Sequence, residues 1–189
     1  MARTVSIGTQ DFEKIIKNNC FYIDKTHFIK EWWESTDEVT LITRPRRFGK
    51  TLNMNMLERF WSVKYQGQGE LFENLEIWQE EKYRELQGTY PVIFLSFAGI
   101  KSVNYPDFLE QMYGILEDLY TRHSYLKKSG ILEQNEIDYY NRIGKHMSNG
   151  DAVMALHRLC SYLSRYYNKK VIILLDEYDT PMQEAYVNG

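Results

Sequence analysis

The sequence predicts an α/β fold, a parallel sheet flanked by helices, on the basis of three observations. The run Val171–Leu175 is apolar at every position, which is typical of a strand covered on both faces. The run Tyr90–Phe97 indicates a second buried strand, and apolar residues recur at helical spacing over much of the chain between the two runs. Helices packed on both faces of a parallel sheet are the natural way to bury such strands.

The composition is that of an ordinary globular protein. The chain has 189 residues, of which 43% are hydrophobic and 26% are charged, and this balance excludes disordered, collagen-like and coiled-coil chains. The formal net charge is −3, so the chain as a whole is not a polycation that coats nucleic acid. We expect the adjacent aromatic pairs to pack in the core rather than to stack on bases or ligand rings. These pairs are Trp32–Trp33, Phe60–Trp61 and Tyr139–Tyr140.

The cysteines and the N-terminus favour a reducing, cytoplasmic setting. Cys20 and Cys160 are far apart in sequence, so their spacing indicates neither a disulfide framework nor a paired metal site. The first residues lack the apolar core of a secretion signal, and no window approaches the apolar length of a membrane span. We therefore expect neither secretion nor membrane insertion.

Residues 1–38 are predicted to form a helical arm ahead of the first strand. Thr9, followed by apolar residues at helical spacing, predicts a capped short helix that stops at Asn18–Asn19. A short extended piece separates it from a second helix, which Thr26 can cap.

Residues 39–189 are predicted to form one domain. The β-branched run Val39–Thr43 is expected to be its first strand, and a helical pattern begins at Leu52. The charged segment Glu70–Gln87 is also expected to be helical. Further helices are predicted at about Tyr105–Lys127, Glu133–Met147 and Asp151–Tyr167.

A phosphate-binding loop signature lies between the first predicted strand and the helix that follows it. The P-loop pattern is G-x-x-x-x-G-K-S/T, and the segment from Arg44 matches it at Gly49, Lys50 and Thr51, with Arg44 in place of the first glycine. Gly49 lets the backbone approach phosphate, Lys50 brings a positive charge to the β and γ oxygens, and Thr51 offers a hydroxyl to Mg²⁺. The N–H groups at the helix start add to this site. The predicted nucleotide-binding residues are Arg46, Arg47, Phe48, Gly49, Lys50, Thr51 and Leu52.

The apolar run at Val171–Leu175 ends in the acidic pair Asp176–Glu177, as a Walker B strand does. In this interpretation Asp176 and Thr51 are the Mg²⁺ ligands, and Glu177 orients and activates the attacking water. The candidate catalytic residues are Glu177 and the phosphate-binding Lys50. The alternative is that the two acids cap the strand end and pair with arginines of the loop. Arg46 and Arg47 accordingly have two open roles, adding charge at the phosphates or pairing with the acids.

Four segments together resemble the bacterial AAA-ATPase-like family. They are Ile7–Gly8 with Asp11–Phe12, Tyr22–Thr26, Arg44–Thr51 and Leu175–Pro181. The resemblance implies a P-loop NTPase fold that binds ATP and Mg²⁺, and Arg44 in the loop is a feature that the family shares. It also implies a C-terminal domain similar to PD-(D/E)xK nucleases. We therefore expect this chain, which stops soon after the Walker B strand, to be the N-terminal part of a longer protein. ATP is favoured over GTP because the guanine-recognition motifs of GTPases are lacking.

The leading hypothesis is an ATP-binding and ATP-hydrolysing domain that acts as a nucleotide-dependent switch on a partner or a C-terminal effector domain. One alternative is a degenerate P-loop scaffold without turnover, and another is a small-molecule kinase, which uses the same loop without an acid placed to activate water. The segment Asp24–Thr26 either closes over the nucleotide or simply caps the second helix. The sequence leaves homo-oligomerisation open, and its basic pairs are too sparse to support nucleic-acid binding.

Overall fold

The elements of secondary structure follow the predicted order, apart from the first strand. The computed structural model describes residues 4–6, 8–43, 48–102 and 104–180. Within these ranges the α-helices are α1 Phe12–Lys17, α2 His27–Ser35, α3 Lys50–Trp61, α4 Glu81–Leu86, α5 Tyr105–Arg122, α6 Gln134–Arg142 and α7 Asn149–Tyr167. The strands are β1 Val92–Ser96 and β2 Ile172–Asp176. No helix in these ranges is long and apolar enough to cross a membrane.

The chain divides into two compact units, Met1–Val92 and Ile93–Gly189. The division into an arm at 1–38 and a domain at 39–189 stays a prediction. In the first unit α1, α2 and α3 surround an aromatic core. Its largest fully buried members are Phe12, Phe60, Trp61, Phe72 and Tyr83.

The aromatic pairs pack as expected. The Trp33 ring stacks on Trp61 at a centroid distance of 4.8 Å, and Trp61 meets Tyr90 edge to face at 5.7 Å. In the second unit Tyr139 and Tyr140 are 2% and 4% exposed. Rings packed in this way contribute to stability through apolar area and ring geometry.

The segment predicted to be helical at Glu70–Gln87 is broken into short pieces. Two 3₁₀ turns, Gly69–Leu71 and Glu76–Gln79, precede the six-residue helix α4. Gly88 then turns the chain back, and its N–H donates to the carbonyl of Phe60 over 2.8 Å. This return places the start of β1 beside the end of α3.

In the second unit β1 and β2 pair as a small parallel sheet. The helices α5, α6 and α7 pack with Ile93 and Leu95 of β1 in one continuous apolar cluster. The parallel pairing and the helical connection agree with the predicted α/β class. The face of β2 with Ile172 and Leu174 is buried, whereas Ile173 and Leu175 are 40% and 39% exposed. Coverage of both faces, predicted from the unbroken apolar run, is therefore wrong for this strand within the described residues.

The predicted first strand, Val39–Thr43, is not a strand. The segment has no regular secondary structure, and Val39 and Leu41 are 88% and 61% exposed. Within the described ranges the only sheet is the β1–β2 pair, so this segment has no neighbouring strand. A lone extended segment leaves its backbone polar groups to water and gains nothing from its β-branched side chains.

Candidate functional site

The helix α3 begins at a glycine that adopts a left-handed backbone conformation. Gly49 has φ 77° and ψ 25° and occupies the N-cap position, where its carbonyl accepts a 2.9 Å hydrogen bond from the N–H of Asn53. A residue with a Cβ adopts this conformation only at a cost of about 1–2 kcal/mol. The local backbone therefore explains why a glycine precedes the lysine.

The start of α3 has no side-chain cap. At the starts of α1, α5 and α7 the cap residues Asp11, Asn104 and Ser148 accept a hydrogen bond from the first turn. Gly49 has no side chain to do so, which leaves the first-turn N–H groups of α3 for another acceptor. These N–H groups and the positive end of the helix dipole favour an anion here.

The residues that follow Gly49 supply polar groups to the same helix end. Lys50 and Thr51 are the first two residues of α3, and both are half-buried, as is Leu52. Phe48, on the other side of the glycine, is 61% exposed. Among the described residues Lys50 has no ion-pair partner, so its charge is free to meet a ligand.

A second ammonium group lies at this glycine. The Nζ atom of Lys25 is 3.9 Å from the position that a Cβ on Gly49 would occupy. The side chain of Lys25 is exposed and has no ion-pair partner in the described part of the chain. The ammonium group of Lys25 thus lies close to the glycine that directly precedes Lys50.

The segment that carries Lys25 is held by its two neighbours. One carboxylate oxygen of Asp24 accepts from the N–H and the hydroxyl of Thr26, at 2.8 and 2.7 Å, and the other accepts from the N–H of Glu76 at 2.7 Å. The Thr26 hydroxyl, fully buried, also accepts from the N–H of Ile77 at 3.2 Å. Thr26 is the N-cap residue of α2, as predicted, but its side chain makes no capping bond.

The acidic pair lies at the end of β2. Asp176 is 4% exposed, and its carbonyl accepts a 3.0 Å bond from the N–H of Phe97. Its carboxylate has no hydrogen bond or ion pair with any residue that the structure describes. Carboxylate oxygens are among the ligands that Mg²⁺ accepts.

Glu177 turns the chain away from the strand. It has φ 50°, an uncommon conformation for a residue with a side chain, and its carbonyl accepts from the N–H of Thr180 at 3.1 Å. The side chain of Glu177 is exposed, so its carboxylate is accessible to water.

The comparison with protein families decides the identity. The sequence model of the AAA-ATPase-like family, described as "Predicted AAA-ATPase", matches residues 6–189. The chain belongs to this family. The resemblance inferred from the four motif segments is thus confirmed at the level of the family, and an ATPase-type nucleotide-binding protein is the class to which it points.

A curated relative of this AAA-ATPase-like chain comes from Azotobacter chroococcum mcd 1. It is named "Uncharacterized protein in vnfD 5'region", and it is 25% identical over 181 residues. The alignment covers 95% of this chain and 30% of the relative, so the chain spans about a third of that protein's length. No solved structure gives a significant match.

Some predicted site residues of the AAA-ATPase-like chain lie outside the described residues. These are Arg46 and Arg47, together with Arg44 and Pro45 of the same loop. Their contact with phosphate and their pairing with the acids both stay predictions. Among the described residues there is no cluster of three or more His, Cys, Asp or Glu side chains that could hold a metal.

Lys25 is the residue whose placement the sequence did not settle. Its segment had two open roles, and neither helical spacing nor the P-loop pattern relates it to Gly49. The contact depends on hydrogen bonds that run from Asp24 and Thr26 to the turn at Glu76–Gln79. The polar pattern Asp24–Lys25–Thr26 was the available signal, because Asp and Thr are side chains that bond to nearby backbone.

Proposed function

We propose that this chain is an ATP-binding domain that hydrolyses ATP with Mg²⁺ and acts as a nucleotide-dependent switch. The observation that carries the proposal is the start of α3. A left-handed glycine without a side-chain cap is followed there by Lys50 and Thr51, half-buried and on the first turn. Membership in a family of predicted AAA-ATPases supports the same ligand class.

In this proposal the phosphates bind at the start of α3. The N–H groups of the first turn donate to phosphate oxygens, Gly49 allows close approach, and Lys50 neutralises charge at the β and γ positions. Arg46, Arg47, Phe48 and Leu52 complete the predicted binding segment.

The Mg²⁺ ligands in the proposal are the hydroxyl of Thr51 and the carboxylate of Asp176. Asp176 ends β2 and is 4% exposed, and a carboxylate oxygen is a ligand that Mg²⁺ accepts. A Mg²⁺ ion held by these two residues would supply positive charge to the phosphate oxygens. Glu177 accepts a proton from the attacking water, since its carboxylate is exposed and follows directly on Asp176.

Coupling to an effector is the third part of the proposal. A curated relative is about three times as long as the aligned region, which gives room for a further domain whose activity responds to the nucleotide. A C-terminal effector and homo-oligomerisation are both consistent with such a switch.

Binding of Mg·ATP, measured by calorimetry, tests the first step. We expect saturable binding by the wild type, loss of affinity by at least a hundredfold in Lys50→Ala, and weaker binding of GTP. Lys145→Ala is the matched control because Lys145 is exposed and distant in sequence from every predicted site residue. Equal ATP affinity in wild type and Lys50→Ala, both folded, would overturn the proposal and favour a scaffold without nucleotide.

Turnover tests the second step. Phosphate release by the wild type should fall by two to three orders of magnitude in Glu177→Gln while ATP affinity is retained. Asp176→Asn should instead reduce the dependence of binding on Mg²⁺. Transfer of labelled phosphate to a small-molecule acceptor, with little free phosphate, would identify a kinase and reject hydrolysis.

A further inference from the structure

We propose that Lys25 is a second phosphate-binding lysine, which contacts the nucleotide from the segment before α2. This inference rests on the proposed function, because it assigns a further residue to the same ATP site. Its starting point is the 3.9 Å separation between the Nζ atom of Lys25 and the Cβ position of Gly49. A phosphate that approaches the glycine backbone therefore comes within reach of this ammonium group.

The electrostatics at the start of α3 favour an anion. The start of a helix carries partial positive charge, and Lys25 and Lys50 add two ammonium groups to it. Neither lysine has an ion-pair partner among the described residues. Like charges gathered at one helix end repel each other, and the negative charge of a nucleoside triphosphate removes that repulsion.

The carboxylate next to Lys25 makes no ion pair with it in the described part of the chain. Both oxygens of Asp24 are engaged, one by Thr26 and the other by the N–H of Glu76, at 2.7–2.8 Å. These hydrogen bonds give each carboxylate oxygen of Asp24 a donor from the neighbouring chain. Asp24 thus orients the segment that carries Lys25.

The position of Lys25 is fixed relative to α3. The hydroxyl of Tyr22, three residues earlier, donates to the sulfur of Met56 on α3 over 3.5 Å. Burial raises the pKa of Tyr22 to about 12, so this hydroxyl keeps its proton at neutral pH. With the segment tied both to α3 and to the turn at Glu76–Gln79, Lys25 needs little ordering to meet the ligand.

The test compares Lys25→Met with Lys14→Met and Lys25→Arg. Lys14 is a control on α1, where its exposed ammonium lies 3.8 Å from Asp11. We expect Lys25→Met to weaken ATP binding about tenfold or more, because hydrogen bonds to charged groups typically contribute that much. Lys14→Met should bind as the wild type does, and Lys25→Arg should retain most of the affinity. Lys25→Met should also lower the salt dependence of ATP binding.

Chemical footprinting gives a second readout that needs no substitution. Saturating Mg·ATP should protect Lys25, but not Lys14, from acetylation by a water-soluble acetylating reagent, with the modified lysines identified by mass spectrometry. Normal ATP affinity in folded Lys25→Met, together with unchanged acetylation of Lys25, would overturn this inference. If Lys50→Ala still loses binding in that case, the proposed function stands without it. Failure of the wild type to bind ATP would contradict both the inference about Lys25 and the proposed function.

Discussion

The backbone N–H of Phe12 donates a 2.8 Å hydrogen bond to the side-chain oxygen of Asn55, which joins the first residue of α1 to the middle of α3. Phe12 is fully buried, so its N–H has no access to water and needs this acceptor. Arg59, one turn further along α3, adds an ion pair with Glu13 at 2.6 Å. The helix that begins at the predicted phosphate site is thus held to α1 in its middle and its last turn.

Substitution of Asn55 by alanine should destabilise the chain by about 1–3 kcal/mol, because it leaves the N–H of Phe12 buried without an acceptor. Asn53→Ala is the control on the same helix, since the Asn53 side chain has no hydrogen bond among the described residues. The stability of both variants is measured by urea denaturation, with unfolding monitored by tryptophan fluorescence. Equal midpoints for the two variants would contradict the prediction.

Periodicity predicted the helices well because each depends on local spacing. In α3 the buried positions Met56, Leu57 and Phe60 recur at helical intervals. The run Val39–Thr43 has the residues of a strand, yet a strand needs a neighbour that local sequence does not specify. Within the described residues that neighbour is lacking, so the segment stays exposed.

The candidate site was predictable only in part, because local sequence specifies neighbouring residues but not tertiary contacts. Gly49, Lys50 and Thr51 are contiguous, so a short motif specifies them, and the left-handed φ of Gly49 agrees with the motif's need for glycine. Lys25 comes to this loop through tertiary hydrogen bonds of Asp24 and Thr26. No spacing rule in the sequence encodes such a contact.

Gly88→Ala should be far more destabilising than Gly67→Ala. Both glycines have positive φ, 69° and 80°, so each variant carries the left-handed strain of about 1–2 kcal/mol. A Cβ at Gly88 would also lie 2.5 Å from the backbone Cα of Gln66, whereas nothing lies within 4 Å of one at Gly67. Backbone cannot move aside cheaply, so the difference between the variants isolates the clash.

Thermal denaturation of the two glycine variants gives the measurement. We expect Gly67→Ala to remain folded with a modestly lowered Tm, and Gly88→Ala to lose several further degrees or to fail to fold. A Tm for Gly88→Ala equal to that of Gly67→Ala would show that the turn at Gly88 relaxes more easily than its contacts indicate.

Ser148→Ala should destabilise α7 by about 1 kcal/mol, the usual effect of losing a serine cap. The Ser148 hydroxyl accepts from the N–H of Asp151 at 3.0 Å, and it donates to the carboxylate of Asp151 at 2.8 Å. Ser161→Ala is the matched control in the same helix, because Ser161 is exposed and mid-helical, where alanine is favourable. In chemical denaturation, the free energy of unfolding of Ser148→Ala should be lower than that of the wild type. That of Ser161→Ala should equal or exceed the wild-type value.

The pair Tyr83–Glu34 should make part of the stability depend on pH. The hydroxyl of Tyr83 donates to the Glu34 carboxylate at 2.8 Å, and this hydrogen bond, with smaller contributions from Lys30 and Lys82, holds the pKa of Glu34 below its ordinary value of 4.5. A carboxyl whose pKa is lowered by folding stabilises the folded state above 4.5, and that stabilisation is lost as the pH falls through the lowered pKa.

Tyr83→Phe tests that linkage because it removes the hydroxyl and keeps the ring. The wild type should exceed the variant in Tm at pH 7, and the gap should narrow as the pH falls below 4.5 and through the lowered pKa of Glu34. Tyr105→Phe is the control, since Tyr105 is 66% exposed and has no carboxylate partner among the described residues. A Tm gap that stays constant across this range would mean that the Tyr83 hydroxyl contributes independently of the charge of Glu34, and would contradict the prediction.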